Sequence, residues 1–455
     1  MIDPGSFRDP SGLVFRQDGV LYRKINPVYQ NQYESLMTSG LYNCLVGQGL
    51  LVSHREIEKK SSEKGTIRII QPDTVPFVSY PYEWSFGEYK DAALTTLIIQ
   101  KEALNYGMIL KDASAYNIQF LMGKPVFIDT LSFDFYGEGT PWVAYGQFCR
   151  HFLAPLLLMA EVDVRLSQMM RNYIDGIPLD LASRLLRLKR SFTAIQHIHL
   201  HAKMSERHAD DGLSDKAKKV PFMSKFQLSA MIEGLIRSVK KIRLKGIRTE
   251  WGDYYSRTNY SDEAAGSKLQ IVSELLSEVQ PGLVWDFGAN DGRYSKKAAE
   301  LGAAVVAFDI DPVAVERNYN DVKLSSGYNM LPLVLDLTNP SPGIGFGCRE
   351  RNSINDREKP DCIMALALIH HLAISNNLPF AKIAEWFSGL SRNLIIEFVP
   401  KEDSQVQIML SSRTDIFPDY TRETFEKMFC RYYSLQSVSP IQDSERLLYL
   451  FKIKE

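Results

Sequence analysis

Two aspartates around a glycine turn, and a pair of histidines further on, are the residues of this chain best suited by type and spacing to do chemistry. Asp286 ends an apolar run, and a turn from Gly288 to Gly292 follows it. A second apolar run, Val305 to Phe308, ends in Asp309, 23 residues after Asp286. Glycine at 288 and 292 lets the backbone turn sharply and lets a ligand approach with no Cβ in the way. Between them stands Asn290, a residue that tolerates left-handed backbone better than most. The spacing to Asp309 is close to the one that places a carboxylate on ribose hydroxyls. Asp286, directly before the turn, suits an ammonium and would repel a pyrophosphate. His370 and His371 follow a later apolar run, Cys362 to Leu368. An imidazole there suits a general base taking a proton from a hydroxyl or an amine.

The elements that must position these residues are legible around them. Apolar run, glycine turn, amphipathic segment Tyr294 to Leu301 and second apolar run read as strand, loop, helix and strand, the outline of a nucleotide-binding βαβ unit. Met330 to Leu337 reads as a third strand and carries Asp336. Cys362 to Leu368 reads as a fourth and Leu394 to Val399 as a fifth, with Glu397 at its tip. Tyr432 to Ser439 and Leu447 to Ile453 read as a closing antiparallel pair. In open sheets of this kind the ligand crevice lies at the carboxyl ends of the strands, where Asp286, Asp309, Asp336 and the histidines all fall.

In these residues the chain resembles the class I S-adenosylmethionine (SAM)-dependent methyltransferases, over roughly residues 250–455. Their first motif, acid-x-Gly-x-x-x-Gly, is matched by Asp286, Gly288 and Gly292; their second ends in an acid, matched by Asp309; their third is matched by Asp336. The resemblance implies an α/β fold with a Rossmann-like seven-stranded sheet. It implies a SAM site built from Asp286, Gly288, Asn290, Gly292, Asp309, Ile310, Asp336 and Leu337, with Tyr260 and Lys268 from a lid segment before the first strand. His371, with His370 beside it, is the expected catalytic residue. No Asn-Pro-Pro-Tyr-like motif marks a nucleic-acid base, and no cysteine pair marks carbon methylation. An oxygen or nitrogen acceptor on a small molecule or glycan is the default expectation.

The first half carries a second constellation. Asp112 precedes Asn117 by five, and a short hairpin, IQFLMGKPVFI, leads to Asp129. This resembles the catalytic segment of the protein kinases and aminoglycoside phosphotransferases. The resemblance implies an N-terminal α+β kinase-like domain in which Asp112 is the base and Asn117 and Asp129 hold metal with Mg-ATP. On that alignment Arg23 or Lys24 takes the phosphate-binding position. The departures are concrete. No glycine-rich loop precedes the first strand pair, Leu110 stands where kinases carry His, and Asp129 is followed by Thr-Leu. A degenerate domain that docks substrate is the preferred reading; a bifunctional kinase and methyltransferase, or a non-catalytic SAM-binding protein, are the alternatives.

The expected domains are 1–201, kinase-like; 202–248, linker and basic helix; and 249–455, methyltransferase. From Arg184 to Arg248 there are 16 Lys and Arg against 5 Asp and Glu. Such a stretch can hold nucleic acid, but without interleaved aromatics a solvated face is preferred. His197 and His201 share a helical face without a third ligand, so no metal site is expected. Across 455 residues the net charge is −1, with 45% hydrophobic and 24% charged residues, a globular composition with no overall pull toward polyanions. Five scattered cysteines suit a reducing compartment. The start has no signal-peptide pattern and no apolar run is long enough to span a bilayer, so a cytoplasmic location is expected.

Overall fold

The computed structural model describes residues 2–57, 66–186, 194–199, 222–244, 261–325, 327–411 and 414–454. The chain divides into two compact units. One comprises Met1–Val75, Ser79–Gly246 and Gly343–Arg351; the other comprises Pro76–Val78, Ile247–Pro342 and Asn352–Glu455. No described helix is long and apolar enough to cross a membrane.

The N-terminal unit begins with the expected hairpin, β1 (Gly12–Gln17) and β2 (Val20–Ile25). Asp18 and Gly19, both at positive φ, make its turn, the geometry whose twist matches the flanking strands. β3 (His54–Glu56) and β4 (Arg68–Pro72) complete a four-stranded sheet of order β1-β2-β4-β3. Between β2 and β3 lie two helices, Gln30–Thr38 and Leu41–Gly47, parted by Gly40 at φ 91°. The helix Phe86–Asn105 starts at Phe86, where Ser85 and Glu88 form a capping box. That pair satisfies two amide donors the helix end would otherwise leave bare.

β5 (Met108–Leu110) pairs with β8 (Phe133–Phe135), and β6 (Ile118–Leu121) pairs with β7 (Lys124–Phe127). Pro155 lies in the first turn of the helix Ala154–Glu161. A π-turn over Cys149–Leu153 precedes it. Proline has no amide to give the His151 carbonyl, and the Tyr89 hydroxyl donates to that carbonyl instead, at 2.7 Å. The Lys225–Lys241 helix belongs to this unit, with Leu228, Ile232, Leu235 and Val239 fully buried. Its C-terminal carbonyls, of Lys240 and Ile242, accept from Lys90. Most of the basic stretch, 187–193, 200–221 and 245–248, lies outside the described residues.

The C-terminal unit holds a seven-stranded sheet: β9 (Leu283–Phe287), β10 (Ala304–Asp309), β11 (Met330–Val334), β12 (Cys362–Ala365), β13 (Asn393–Phe398), β14 (Tyr433–Pro440) and β15 (Leu447–Ile453). Its order is β11-β10-β9-β12-β13-β15-β14. The first five strands are parallel; β15 runs antiparallel to β13 and β14. This is the sheet implied by the methyltransferase resemblance, including its closing hairpin.

Side chains two apart on a strand share a face, and that alternation sorts the sheet. Val284, Val305, Met364, Ile395, Leu448 and Leu450 lie in one buried cluster with Val272, Leu275 and Leu276 of the helix Asp262–Val279. On β9 the alternate residues Trp285 and Phe287 are also buried, and the ring of Phe77 meets Trp285 and Phe308 edge-on. The segment Pro76 to Tyr80 makes no ladder, and Phe77, 2% exposed, is used in aromatic packing. The polar stretch 338–360 carries two short 3-10 turns and a bridge between Ile344 and Arg351.

Candidate active site

A cavity of about 890 Å³ opens at the carboxyl ends of β9, β10, β11 and β12. Asp286, Gly288, Asn290, Asp309, Ile310, Asp336, Leu337, Lys268 and His371 all line it. Gly292 does not; it caps the helix Arg293–Glu300 at φ 80°. A Cβ there would sit 2.5 Å from the side chain of Asn318, so both the backbone angle and the space require glycine. Asn290 adopts the left-handed conformation at φ 51°, the property for which it stands in for the usual glycine.

The turn and the two carboxylates brace one another. Asp309 accepts the Asn290 amide and the Asp311 amide, each at 2.8 Å and each on a different oxygen. Two amides leave about half of a carboxylate's lone pairs unused, enough for a pair of hydroxyls. Burial raises its pKa to about 6 against the pull of those amides. Asp286, 2% exposed, accepts the Ser295 hydroxyl at 2.6 Å. Burial raises it to about 7; Ser295 and the Lys268 charge hold it down and Asp309 pushes it up. A desolvated carboxylate this close to neutrality is a ready partner for a cation.

The apolar Ile310 stands 55% exposed in the cavity beside Asp309. Asp336 also makes an ordinary turn, accepting the Thr338 amide at 2.8 Å and its hydroxyl at 2.7 Å. His371 lines the cavity and His370 is buried, their rings 4.2 Å apart. Burial and then the Arg446 charge lower His371 to about 4. The near-neutral value expected from the sequence is therefore corrected: His371 is an uncharged imidazole throughout the physiological range. His370 is driven well below its ordinary value by burial, His371, Arg446 and Lys268. Tyr260 lies outside the described residues. Tyr420 is buried with its hydroxyl on the Val399 carbonyl, and no described residue of 401–420 lines the cavity.

Ser295, Ser375 and Asn376 carried no sequence signal. Ser295 holds Asp286 from the first turn of the next helix. Ser375 and Asn376 line the cavity from a π-turn, His371–Ser375. Lys268 is paired at 2.6 Å with Glu397, which also contacts Arg446.

The N-terminal constellation also assembles. Asp112 accepts the Ser114 amide at 2.9 Å and the Gln147 amide group at 2.7 Å. Asn117 donates to Ser132, which donates to Asp129 at 2.6 Å. Arg23 forms an ion pair with Asp129 and reaches Asp9 at 3.3 Å. Burial pushes Asp129 up, but Arg23, Ser132 and the Leu131 amide outweigh it and leave the carboxylate below its ordinary value. Asp112 is raised by burial and then by Asp129. Among the described residues no group of three or more His, Cys, Asp or Glu is placed to hold a metal ion. His197 contacts the Tyr145 hydroxyl, and His201 is outside the described residues.

No family model matches the chain. Solved structures that it resembles over part of its length include magnesium protoporphyrin IX methyltransferase ChlM from Synechocystis PCC 6803 with bound S-adenosylhomocysteine (SAH). The identity is 18%, the match covers 45% of this chain and 93% of that one, and the TM-score is 0.32. N-methyltransferase NodS from Bradyrhizobium japonicum WM9 is 13% identical, with 43% and 99% covered and a TM-score of 0.33. The bifunctional kinase-methyltransferase WbdD is 18% identical, with 42% and 40% covered and a TM-score of 0.30. Nodulation protein NoeA of Rhizobium meliloti (strain 1021) is 36% identical over 463 aligned residues, spanning 99% of this chain and 96% of that protein. The chain belongs to the NoeA family of nodulation proteins.

Proposed function

We propose that this chain is a SAM-dependent methyltransferase acting on an oxygen or nitrogen acceptor of a small molecule or glycan. One observation carries the reading: Asp286, the glycine turn, Asp309, Ile310 and Asp336 line a single cavity at the carboxyl ends of a sheet with the methyltransferase strand order. When bound, SAM supplies a methyl group on a sulfonium that is already a good leaving group. Asp286 takes the ammonium of the methionine end, Asp309 the ribose hydroxyls, and Ile310 and Leu337 offer apolar surface to the base. What remains for the protein is to hold the acceptor in line and exclude water. His371 does so as a neutral imidazole whose lone pair accepts a hydrogen bond from the acceptor. The relative's name places that protein in nodulation, and we carry over the process without the acceptor.

The N-terminal unit is assigned the docking of the acceptor. Phosphotransfer from Mg-ATP is the second reading, favoured by the gathering of Asp112, Asn117 and Asp129 and opposed by Arg23 on Asp129. Calorimetric titration separates these. SAH should bind the wild type and fail to bind Asp309→Ala, while Mg-ATP gives no heat. Heat from Mg-ATP that disappears in Asp129→Ala would move the bifunctional reading ahead. SAH binding without methyl transfer to any extract component would leave a SAM-binding protein.

A further inference from the structure

The alternation that builds the apolar layer under the helix Asp262–Val279 does not stop at apolar residues. Val284 is followed on the same face of β9 by Asp286. Ile395 is followed on β13 by Glu397. Leu450 and Leu448 on β15 lead back to Arg446. Leu448 is the register partner of Glu397. The three rows therefore end in charges at one end of the sheet, and the helix that covers them presents Lys268 there. Lys268 is 3% exposed, Glu397 0% and Arg446 2%.

Glu397 is the hub. Its Oε2 takes the Lys268 ammonium at 2.6 Å and the Ala367 amide at 2.8 Å; its Oε1 takes Arg446 at 3.3 Å. Arg446 is held in turn by Asp403 at 2.7 Å. Two of these partners line the cavity, Lys268 and Ala367. Ala367 sits at φ 50°, a conformation that disfavours any residue with a Cβ, so the turn needs an external hold. Beside it, Leu368 packs on Gly288: a Cβ on that glycine would lie 3.2 Å from the leucine side chain.

We propose that Glu397 is a positioning residue of the cofactor site: it aims the Lys268 ammonium at the amino-acid end of the cofactor and pins the turn carrying Ala367. The proposal rests on the methyltransferase reading. An amino-acid end carries both an ammonium and a carboxylate. Asp286 answers the first, and Lys268, within electrostatic reach of Asp286, answers the second. Buried among apolar residues, a lysine keeps its proton only beside a counter-charge. Glu397 supplies it, and Asp286 adds to it. Arg446 and His370 are the other titratable groups facing Lys268, and the Tyr294 ring lies 4.7 Å from its nitrogen.

The test is calorimetric SAH binding from pH 6 to 9 by wild type, Glu397→Gln, Lys268→Met and the double variant. Glu397→Gln should bind about tenfold more weakly at pH 7, the scale of one charged hydrogen bond. Its deficit should widen with rising pH, as an unpaired Lys268 sheds its proton. Lys268→Met should show a similar deficit without that widening, and the double variant should be little worse than Lys268→Met alone, since the two act in series. An unchanged Glu397→Gln, or deficits that add in full, overturns the proposal. If Glu397→Gln does not fold, Lys268→Met and Lys268→Arg decide: the proposal requires loss in the first and recovery in the second, and wild-type binding by Lys268→Met overturns it. A wild type that binds no SAH refutes the methyltransferase reading itself, and this proposal with it. Wild-type binding with unchanged variants refutes the positioning role alone.

Discussion

Two places in this molecule gather aspartates in a buried setting, and they resolve the cost of burial in opposite ways. In the N-terminal unit Asp129 has its counter-ion built in: Arg23 pairs with it, Ser132 and the Leu131 amide complete its shell, and its pKa falls. In the C-terminal cavity Asp286 is held by a neutral hydroxyl and Asp309 by backbone amides, and burial lifts them to about 7 and about 6. A carboxylate neutralised from within is finished as structure. One left short of compensating charge and facing open space is stabilised most by what a ligand brings. The contrast is between Asp129 and the cavity pair; Asp112, raised by burial and by Asp129, sides with the latter.

The contrast can be broken by substitution. The largest expected effect is Asp309→Ala, which removes a pair of charged hydrogen bonds to the ligand and strands the Asn290 and Asp311 amides. SAH affinity should fall by about 100-fold or more, read by calorimetry; a loss under tenfold would remove Asp309 from the site. Next is Arg23→Ala. If the pair is structural, urea unfolding should show about 3 kcal/mol lost, with SAH binding unchanged. A stable variant that gains Mg-ATP binding would mean that Arg23 masks a functional metal site. Gly292→Ala should cost about 2 kcal/mol from its left-handed backbone and the clash with Asn318, and a neutral result would contradict the tight-turn argument. The smallest effect on binding belongs to His371→Asn. SAH affinity should stay within about twofold while methyl transfer from labelled SAM into extract components drops about 100-fold. Equal losses in both would make His371 part of the cofactor wall.

Sequence reasoning reached what is local. Asp286, the glycine turn, Asn290 and Asp309 form one βαβ unit, and their roles follow from spacing within it. The strands themselves were legible because each carried its own apolar run, and the seven-stranded sheet was implied by the methyltransferase resemblance. What stayed hidden depends on residues distant in the chain. Arg446 and Glu397 are 49 positions apart, and neither has a spacing signal that names the other or Lys268. Phe77 reads as a strand residue until its aromatic neighbours are known. The π-turn before Pro155 depends on the Tyr89 hydroxyl, 62 residues away from the carbonyl it meets. The low basicity of His371 was hidden for the same reason, because burial and Arg446 are tertiary facts.

The central claim is that the cavity carboxylates are held near neutrality until a cationic, hydroxyl-bearing ligand arrives. The most direct measurement is SAH binding by the wild type between pH 5.5 and 8.5 in buffers of different ionisation enthalpy. Burial leaves Asp286 and Asp309 substantially protonated below about 7 and about 6. The ligand's ammonium and hydroxyls favour the ionised forms. Binding should therefore release protons near pH 6 to 7, tighten as pH rises through that window, and level off above it, with Asp286→Asn flattening the upper part of the curve. Affinity independent of pH across this range, with no proton release, would contradict the account.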